Sequence, residues 1–146
     1  MTDVNRRNYR FAQKMIVGTE WLIEAFDCDA DSLRELTVLQ SVFAQIINDL
    51  SLKIVGAPQW HKFGGEGGVT GLTMLTESHL ACHTYPEYRT ATFNLYCCRT
   101  RPEWNWEVNL KEALSASDVK VTIIKRGIDP QSEITKPKSK IVGGEI

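Results

Sequence analysis

One stretch of this chain has the spacing of an amphipathic helix, and any fold must bury its apolar face. Its apolar residues recur at steps of three and four, and they are Leu33, Leu36, Leu39, Val42, Phe43, Ile46, Ile47 and Leu50. This stripe predicts a helix of about five turns that packs one face against a core. Ser32 and Glu35 have the spacing of a capping box, so we expect the helix to begin there.

Several other segments are rich in β-branched and aromatic residues, which predicts strands. They are residues 14–26, 52–57, 69–76, 79–84, 90–98 and 118–125. A second, weaker apolar stripe predicts a helix over residues 102–114. The order β-α-β-β-β-β-α-β indicates an α+β fold, a two-layer sandwich of a mostly antiparallel sheet with helices on one face.

The ends of the chain differ in composition from its centre. Residues 1–13 are polar and basic and predict a loose N-terminal arm, whereas residues 128–146 are rich in Pro, Lys, Ser and Gly and predict an extended tail. Residues 14–127 then form the folded domain, and 146 residues are enough for one domain with a real core.

The charge balance and the apolar pattern exclude several classes of protein. Lys and Arg number 17 and Asp and Glu number 18, which gives a net charge of −1, so we expect neither nucleic acid nor a membrane surface as a partner. No apolar run approaches the roughly 20 residues of a membrane-spanning helix, and the N-terminus lacks the pattern of a secretory signal. The four cysteines have no disulfide spacing. These features predict a cytoplasmic protein with reduced thiols.

Reactive side chains crowd into residues 77–98, and three interpretations compete for them. A zinc site would use His79 and His83, but on a strand these residues stand about 13 Å apart, and we expect no metal. A Cys–His or Ser–His hydrolase would need an activated nucleophile, and Gly-x-Ser-x-Gly is absent. The structural alternative to both is that His83 and the cysteines simply fill a half-buried strand. The third interpretation rests on a longer pattern.

A longer pattern in the same window resembles a known family. The segments that carry it are Gly68-Val-Thr-Gly71, Thr76-Glu-Ser-His-Leu-Ala-Cys-His-Thr-Tyr-Pro-Glu-Tyr88 and Tyr96-Cys-Cys98. They are similar to the processing and active-site segments of the bacterial and archaeal S-adenosylmethionine decarboxylases, and the similarity extends from about Gly18 to Gly127. The resemblance implies a proenzyme that forms a homodimer with active sites near the subunit interface.

The resemblance implies that the chain cleaves itself between Glu77 and Ser78. The Ser78 hydroxyl would attack the Glu77 carbonyl carbon, β-elimination would break the chain, and position 78 would become a pyruvoyl group. His83 matches the processing base, and imidazole suits proton transfer near neutral pH. Thr70 matches a hydroxyl that assists processing. We also expect the glycines between Gly64 and Gly71 to let the backbone fold around the scissile bond.

The implied cofactor is this pyruvoyl group, which forms a Schiff base with the amine of S-adenosylmethionine and accepts electrons as CO₂ leaves. By resemblance Cys98 is the proton donor, and the period of two assigns its neighbour Cys97 to the core. The implied substrate-binding residues are Phe63 and Tyr85, which would stack on adenine, and Glu87, which would hold the ribose hydroxyls. The product, decarboxylated S-adenosylmethionine, would serve polyamine (spermidine) synthesis.

Three positions depart from the family pattern. Tyr85 stands where Trp is usual, Arg89 where Gly is common and Asn94 where Asp is usual. They leave open a pyruvoyl-dependent decarboxylase of another amino acid, such as ornithine or arginine. An unprocessed relative that acts as a binding partner is the other alternative.

Overall fold

The structure, a computed structural model, describes residues 15–128. Its six strands are β1 Met15–Phe26, β2 Gln59–Lys62, β3 Val69–Leu75, β4 Ser78–Tyr85, β5 Thr90–Cys97 and β6 Asp118–Ile128. Its helices are α1 Ala30–Arg34, α2 Leu36–Asp49 and α3 Trp106–Leu114, with a 3₁₀ turn at Pro86–Tyr88. The predicted arm 1–13 and tail 128–146 lie outside the described residues, except that Ile128 ends β6.

All six strands form one antiparallel sheet in the order β2-β3-β4-β5-β1-β6. Consecutive strands β2 to β5 form a meander, and β1 inserts between β5 and β6. This arrangement places the reactive window, β4 and β5, in the interior of the sheet rather than at an edge.

The core lies between one face of the sheet and the three helices. Alternate strand residues point into it, for example Trp21, Ile23 and Ala25 on β1, and Ala91, Phe93, Leu95 and Cys97 on β5. The helices contribute Leu33, Leu39, Val42, Phe43, Ile46, Trp106, Leu110 and Leu114. The prediction of an α+β sandwich with a mostly antiparallel sheet is therefore confirmed, as is the apolar stripe of the first helical region.

The start of that helical region differs from the prediction. Asp29, not Ser32, is the N-cap residue, and its carboxylate accepts hydrogen bonds from the Ser32 amide at 3.1 Å and the Ser32 hydroxyl at 2.8 Å. Glu35 adopts an extended conformation and divides the predicted helix into α1 and α2. The capping-box prediction was wrong because an Asp three residues before Ser32 offers the same acceptor chemistry.

Two further elements differ in their boundaries. The predicted strand 52–57 is only a bridge between Ile54 and Leu75, because Gly56, at φ +72°, turns the chain there. The strand of this region is β2, which follows Pro58. The predicted helix 102–114 begins only at Trp106, where the side chain of Asn105 caps it by accepting from the Val108 amide at 3.2 Å.

The other side of the sheet, which we call the open face, is not covered by any helix within residues 15–128. Its residues include Glu20, Leu22, Glu24, Thr70, Leu72, Met74, His79, Ala81, His83, Thr92, Asn94, Tyr96 and Ile124. Polar side chains run along its centre, and Leu72, Met74 and Ile124 are exposed apolar residues. No helix within residues 15–128 has the length and hydropathy needed to cross a membrane.

Candidate active site

The Glu77–Ser78 peptide lies in the tight connection between β3 and β4. Ser78 has φ +145°, a conformation that residues with a side chain rarely adopt. Holding a serine there costs on the order of 1–3 kcal/mol, which the surrounding contacts must offset. The predicted cleavage point is therefore a site of local backbone strain.

The side chain of Glu77 is anchored below this turn. Its carboxylate is buried and accepts hydrogen bonds from both Nε and Nη2 of Arg101, and the distance from Nε to Oε2 is 3.1 Å. Nη1 of Arg101 also donates to the Leu50 carbonyl at 3.3 Å, which ties the arrangement to the end of α2. A buried carboxylate needs such a partner, but the sequence did not indicate which arginine supplies it.

The two adjacent cysteines have opposite environments. Cys97 lies opposite Ser78 in the β4–β5 register and is buried in the core, as predicted. Burial raises its pKa to about 11, so the thiol stays protonated at neutral pH. Cys98 is exposed, and its backbone amide donates to the carbonyl oxygen of Glu77 at 3.0 Å. The structure thus brings Glu77, Ser78 and Cys98 together.

His83 and Thr70 form a second group. They are directly opposite in the β3–β4 register, and Thr70 Oγ1 lies 3.2 Å from His83 Nδ1. This hydrogen bond fixes the orientation of the imidazole on the open face. A cavity of about 190 Å³ adjoins His83, and Glu24, Thr92 and Asn94 also line it.

These two groups lie at opposite ends of β4. Ser78 is its first residue and His83 its sixth, so the two positions are about 17 Å apart along the strand. We call the end with Glu77, Ser78 and Cys98 the serine end, and the end with Thr70 and His83 the histidine end. Within one protomer the predicted base and the predicted scissile bond do not meet.

The predicted substrate-binding residues all lie at the histidine end. Phe63 follows β2, Tyr85 ends β4, and both rings are substantially exposed, at 50% and 38%. Glu87 is exposed in the adjoining 3₁₀ turn. The glycine-rich segment also belongs to this end, because the amide of Phe63 donates to the carbonyl of Gly68 at 3.0 Å. The expectation that these glycines surround the scissile bond of the same protomer was wrong.

The structure explains one departure from the family pattern. Arg89 has φ +50°, in the left-handed region that favours glycine. Its Nε donates to the Cys28 carbonyl at 2.8 Å, which ties the guanidinium to the loop after β1.

His79 marks contacts that the sequence did not reveal. Its Nε2 lies 2.6 Å from Asn94 Oδ1, and Asn94 Nδ2 donates to Glu20 Oε1 at 2.8 Å. Because these residues come from three separate strands, only the register of the sheet brings them together. Within residues 15–128 no group of three or more His, Cys, Asp or Glu side chains is placed to hold a metal ion.

Comparison with known proteins connects this geometry to a family. The sequence pattern of a family described as S-adenosylmethionine decarboxylase matches residues 19–127. The chain is 33% identical over 130 residues to S-adenosylmethionine decarboxylase proenzyme 2 of Halalkalibacterium halodurans, which covers 86% of this chain and 98% of that protein. It is 30% identical over 118 residues to the S-adenosylmethionine decarboxylase proenzyme of Syntrophomonas wolfei, covering 80% and 92%.

The fold has a counterpart among solved structures. The crystal structure of the adenosylmethionine decarboxylase from Aquifex aeolicus superposes with a TM-score of 0.67, covering 77% of this chain and 92% of that chain at 23% identity. This likeness establishes the shared α+β architecture.

Proposed function

The chain belongs to the S-adenosylmethionine decarboxylase family, and we propose that it is a proenzyme that cleaves itself between Glu77 and Ser78 to become a pyruvoyl-dependent decarboxylase of S-adenosylmethionine. The observation that carries this proposal is the strained Ser78, which follows a buried Glu77 whose carbonyl oxygen accepts a hydrogen bond from the amide of the exposed Cys98. The products would be CO₂ and decarboxylated S-adenosylmethionine, which supplies polyamine synthesis.

The residues at the serine end fit the formation of a pyruvoyl group. Attack of Ser78 Oγ on the Glu77 carbonyl carbon exchanges the amide for an ester and places negative charge on the Glu77 oxygen. The Cys98 amide already donates to that oxygen at 3.0 Å, so it can stabilise the charge. Removal of the Ser78 α-proton then expels the Glu77 carboxylate, and hydrolysis of the resulting dehydroalanine releases ammonia. The bound pyruvoyl group supplies the electron sink for decarboxylation.

The separation of Ser78 from His83 supports an active site that is shared by two protomers. A general base must come within hydrogen-bond reach of its proton, and about 17 Å along one strand excludes this in a single protomer. In a twofold dimer the histidine end of one protomer can face the serine end of the other, which completes two equivalent sites. Thr70 orients the His83 imidazole in this arrangement.

The open face supports a homodimer formed by packing two sheets together. Leu72, Met74 and Ile124 are 48%, 59% and 39% exposed there. Covering such apolar side chains with another surface removes them from water, which favours association. The histidine end lies on this face, and the serine end lies at the start of β4, next to the open-face residue His79. A second copy of the chain is therefore the occupant that can also complete the site.

The histidine end offers the chemistry to bind S-adenosylmethionine. The exposed rings of Phe63 and Tyr85 can stack on adenine, and an aromatic face also favours a sulfonium charge. Glu87 can accept two hydrogen bonds from a vicinal diol. The relatives do not favour ornithine or arginine as the substrate, and the Arg89 guanidinium that suggested them is bound to the Cys28 carbonyl.

Intact mass under denaturing conditions tests the proposal. The wild-type protein should give two fragments that meet between Glu77 and Ser78, the second beginning with a pyruvoyl group, and should release CO₂ from S-adenosylmethionine. Ser78→Ala should remain one 16.5 kDa chain without activity. A wild-type chain that stays intact would instead support the unprocessed binding relative. CO₂ from ornithine or arginine alone would support the other substrate class.

The state of the cysteines bears on the cellular compartment. The four cysteines are unpaired, and reduced thiols are typical of the cytoplasm, where we expect the enzyme to act.

A further inference from the structure

The histidine next to Ser78 belongs to a hydrogen-bonded array that crosses four strands of the open face. His79 Nε2 lies 2.6 Å from Asn94 Oδ1, Asn94 Nδ2 donates to Glu20 Oε1 at 2.8 Å, and Arg126 Nη1 donates to Glu20 Oε2 at 3.1 Å. The members belong to β4, β5, β1 and β6 in spatial order. The array therefore connects the cleavage point to the far edge of the sheet.

The array has only one consistent direction of donation. Arg126 can only donate, so both Glu20 oxygens accept, one from Arg126 and one from the Asn94 amide nitrogen. The Asn94 oxygen is then left as an acceptor, and Nε2 of His79 must carry the proton that it receives. The ring of His79 is thus held in one orientation.

Packing supports this array. The Tyr96 ring lies beside the His79 ring, with centroids 5.9 Å apart, and the Arg126 guanidinium carbon lies 5.5 Å from the Tyr96 centroid. Gly18 makes room for this ring, since a Cβ there would lie 2.5 Å from Tyr96 Cε2. Any added side chain would displace Tyr96 and disturb its neighbours.

The two residues that flank Ser78 are consequently both held by their side chains. Glu77 is bound by Arg101 in the interior, and His79 is bound by Asn94 on the open face. Ser78, between them, has the unfavourable φ of +145°. A strained residue persists only where its surroundings over-determine it.

We propose that His79 is a positioning residue for self-cleavage. Its hydrogen bond to Asn94 holds the first residues of β4 in place. Ser78 therefore stays in the strained conformation from which its hydroxyl attacks Glu77. The inference rests on the proposed cleavage between Glu77 and Ser78 and adds a role for the array of His79, Asn94, Glu20 and Arg126.

The test compares cleavage rates of freshly synthesised chains. His79→Ala removes the hydrogen bond and should slow cleavage by about 10- to 100-fold, since small displacements of reacting groups have effects of this size. His79→Gln can place an amide N–H near the position of Nε2, donate to Asn94 and restore most of the rate. Gln45→Ala, which removes an exposed side-chain hydrogen bond to Asn109 between α2 and α3, should cleave at the wild-type rate.

Folding is measured separately in the uncleavable Ser78→Ala background, by thermal melting of each variant. If His79→Ala fails to fold there, Asn94→Ala, which keeps the imidazole and removes its partner, becomes the deciding variant and should slow cleavage equally. If the wild-type chain cleaves and a folded His79→Ala variant cleaves at the same rate, the role of His79 is overturned while the proposed function stands. The same conclusion follows if His79→Gln cleaves as slowly as His79→Ala. An uncleaved wild-type chain would instead remove the proposed function.

Discussion

The backbone amide of Cys98 donates a 3.0 Å hydrogen bond to the carbonyl oxygen of Glu77. This contact places the predicted proton donor, Cys98, beside the Glu77–Ser78 bond that we propose is cleaved during processing. Because the donor is a backbone group, a substitution of the Cys98 side chain leaves the contact in place. The two reactions can therefore be separated by mutation.

Cys98→Ala should still cleave itself but should lose decarboxylation by about 10²- to 10⁴-fold, the usual effect of removing a general acid. Intact mass reports cleavage, and CO₂ release from S-adenosylmethionine reports turnover. Cys97→Ala is the control, because Cys97 is buried and should affect thermal stability rather than turnover. Full turnover by Cys98→Ala would remove its assigned role.

Complementation between variants tests the shared active site. Ser78→Ala and His83→Ala should each remain uncleaved alone. When they are co-expressed with different tags, a mixed dimer combines Ser78 of one chain with His83 of the other. About half of the His83→Ala chains should then be cleaved, as random pairing in a twofold dimer predicts. The Ser78→Ala chain should stay intact.

Two controls complete the complementation experiment. Two differently tagged copies of the same variant should show no cleavage. Light scattering of the wild-type protein at micromolar concentration should give a dimer. A monomer, or mixed chains without any cleavage, would contradict the sharing of His83 between protomers.

The cysteines should differ in reactivity. Burial raises the pKa of Cys28 and Cys97 to about 11 and that of Cys82 to about 12. Because the thiolate is the reactive form, a raised pKa lowers the reactive fraction at every pH below that value. Iodoacetamide at pH 8 should add one label, at Cys98, to the native protein and four after unfolding. Rapid labelling of Cys97 in the native state would contradict this environment.

Two buried threonines, Thr84 and Thr73, allow the contribution of a buried hydroxyl to the free energy of unfolding to be compared with and without hydrogen-bond partners. The Thr84 hydroxyl donates to the Leu33 carbonyl at 2.7 Å and accepts from the Val69 amide at 2.8 Å, whereas no partner within the described residues binds the Thr73 hydroxyl. Thr84→Val should lower the free energy of unfolding by about 1–3 kcal/mol, because it leaves two buried backbone groups unpaired. Thr73→Val should be neutral or stabilising.

Urea denaturation of both valine variants in the Ser78→Ala background measures the difference. Equal losses of stability would mean that the Thr84 hydroxyl does not join α1 to β3 and β4 as the structure has it.

Local patterns were sufficient for most of the fold. The apolar spacing from Leu33 to Leu50 located the helical region, and the alternation along β5 placed Cys97 in the core and left Asn94 and Tyr96 on the open face. Both periods arise from the geometry of single elements, so they can be read without knowing what packs against them. The motif from Glu77 to Tyr88 likewise indicated the family before any contact was known.

Element boundaries were less accessible, because competing local signals exist. Asp29 and Ser32 both offer a capping oxygen to the first helical region, and the cap forms at Asp29. The position of β2 beyond Pro58 depends on a contact with a distant segment. β2, for example, is a strand because it pairs with β3.

The sequence by itself determined which elements form, which face of each is apolar and which residues have reactive side chains. Only the tertiary structure decided that Arg101 binds Glu77, that Asn94 and Glu20 hold His79, and that Thr70 orients His83. The physical reason is that periodicity and propensity act over a few neighbouring residues, whereas these relationships depend on the register between strands far apart in the chain.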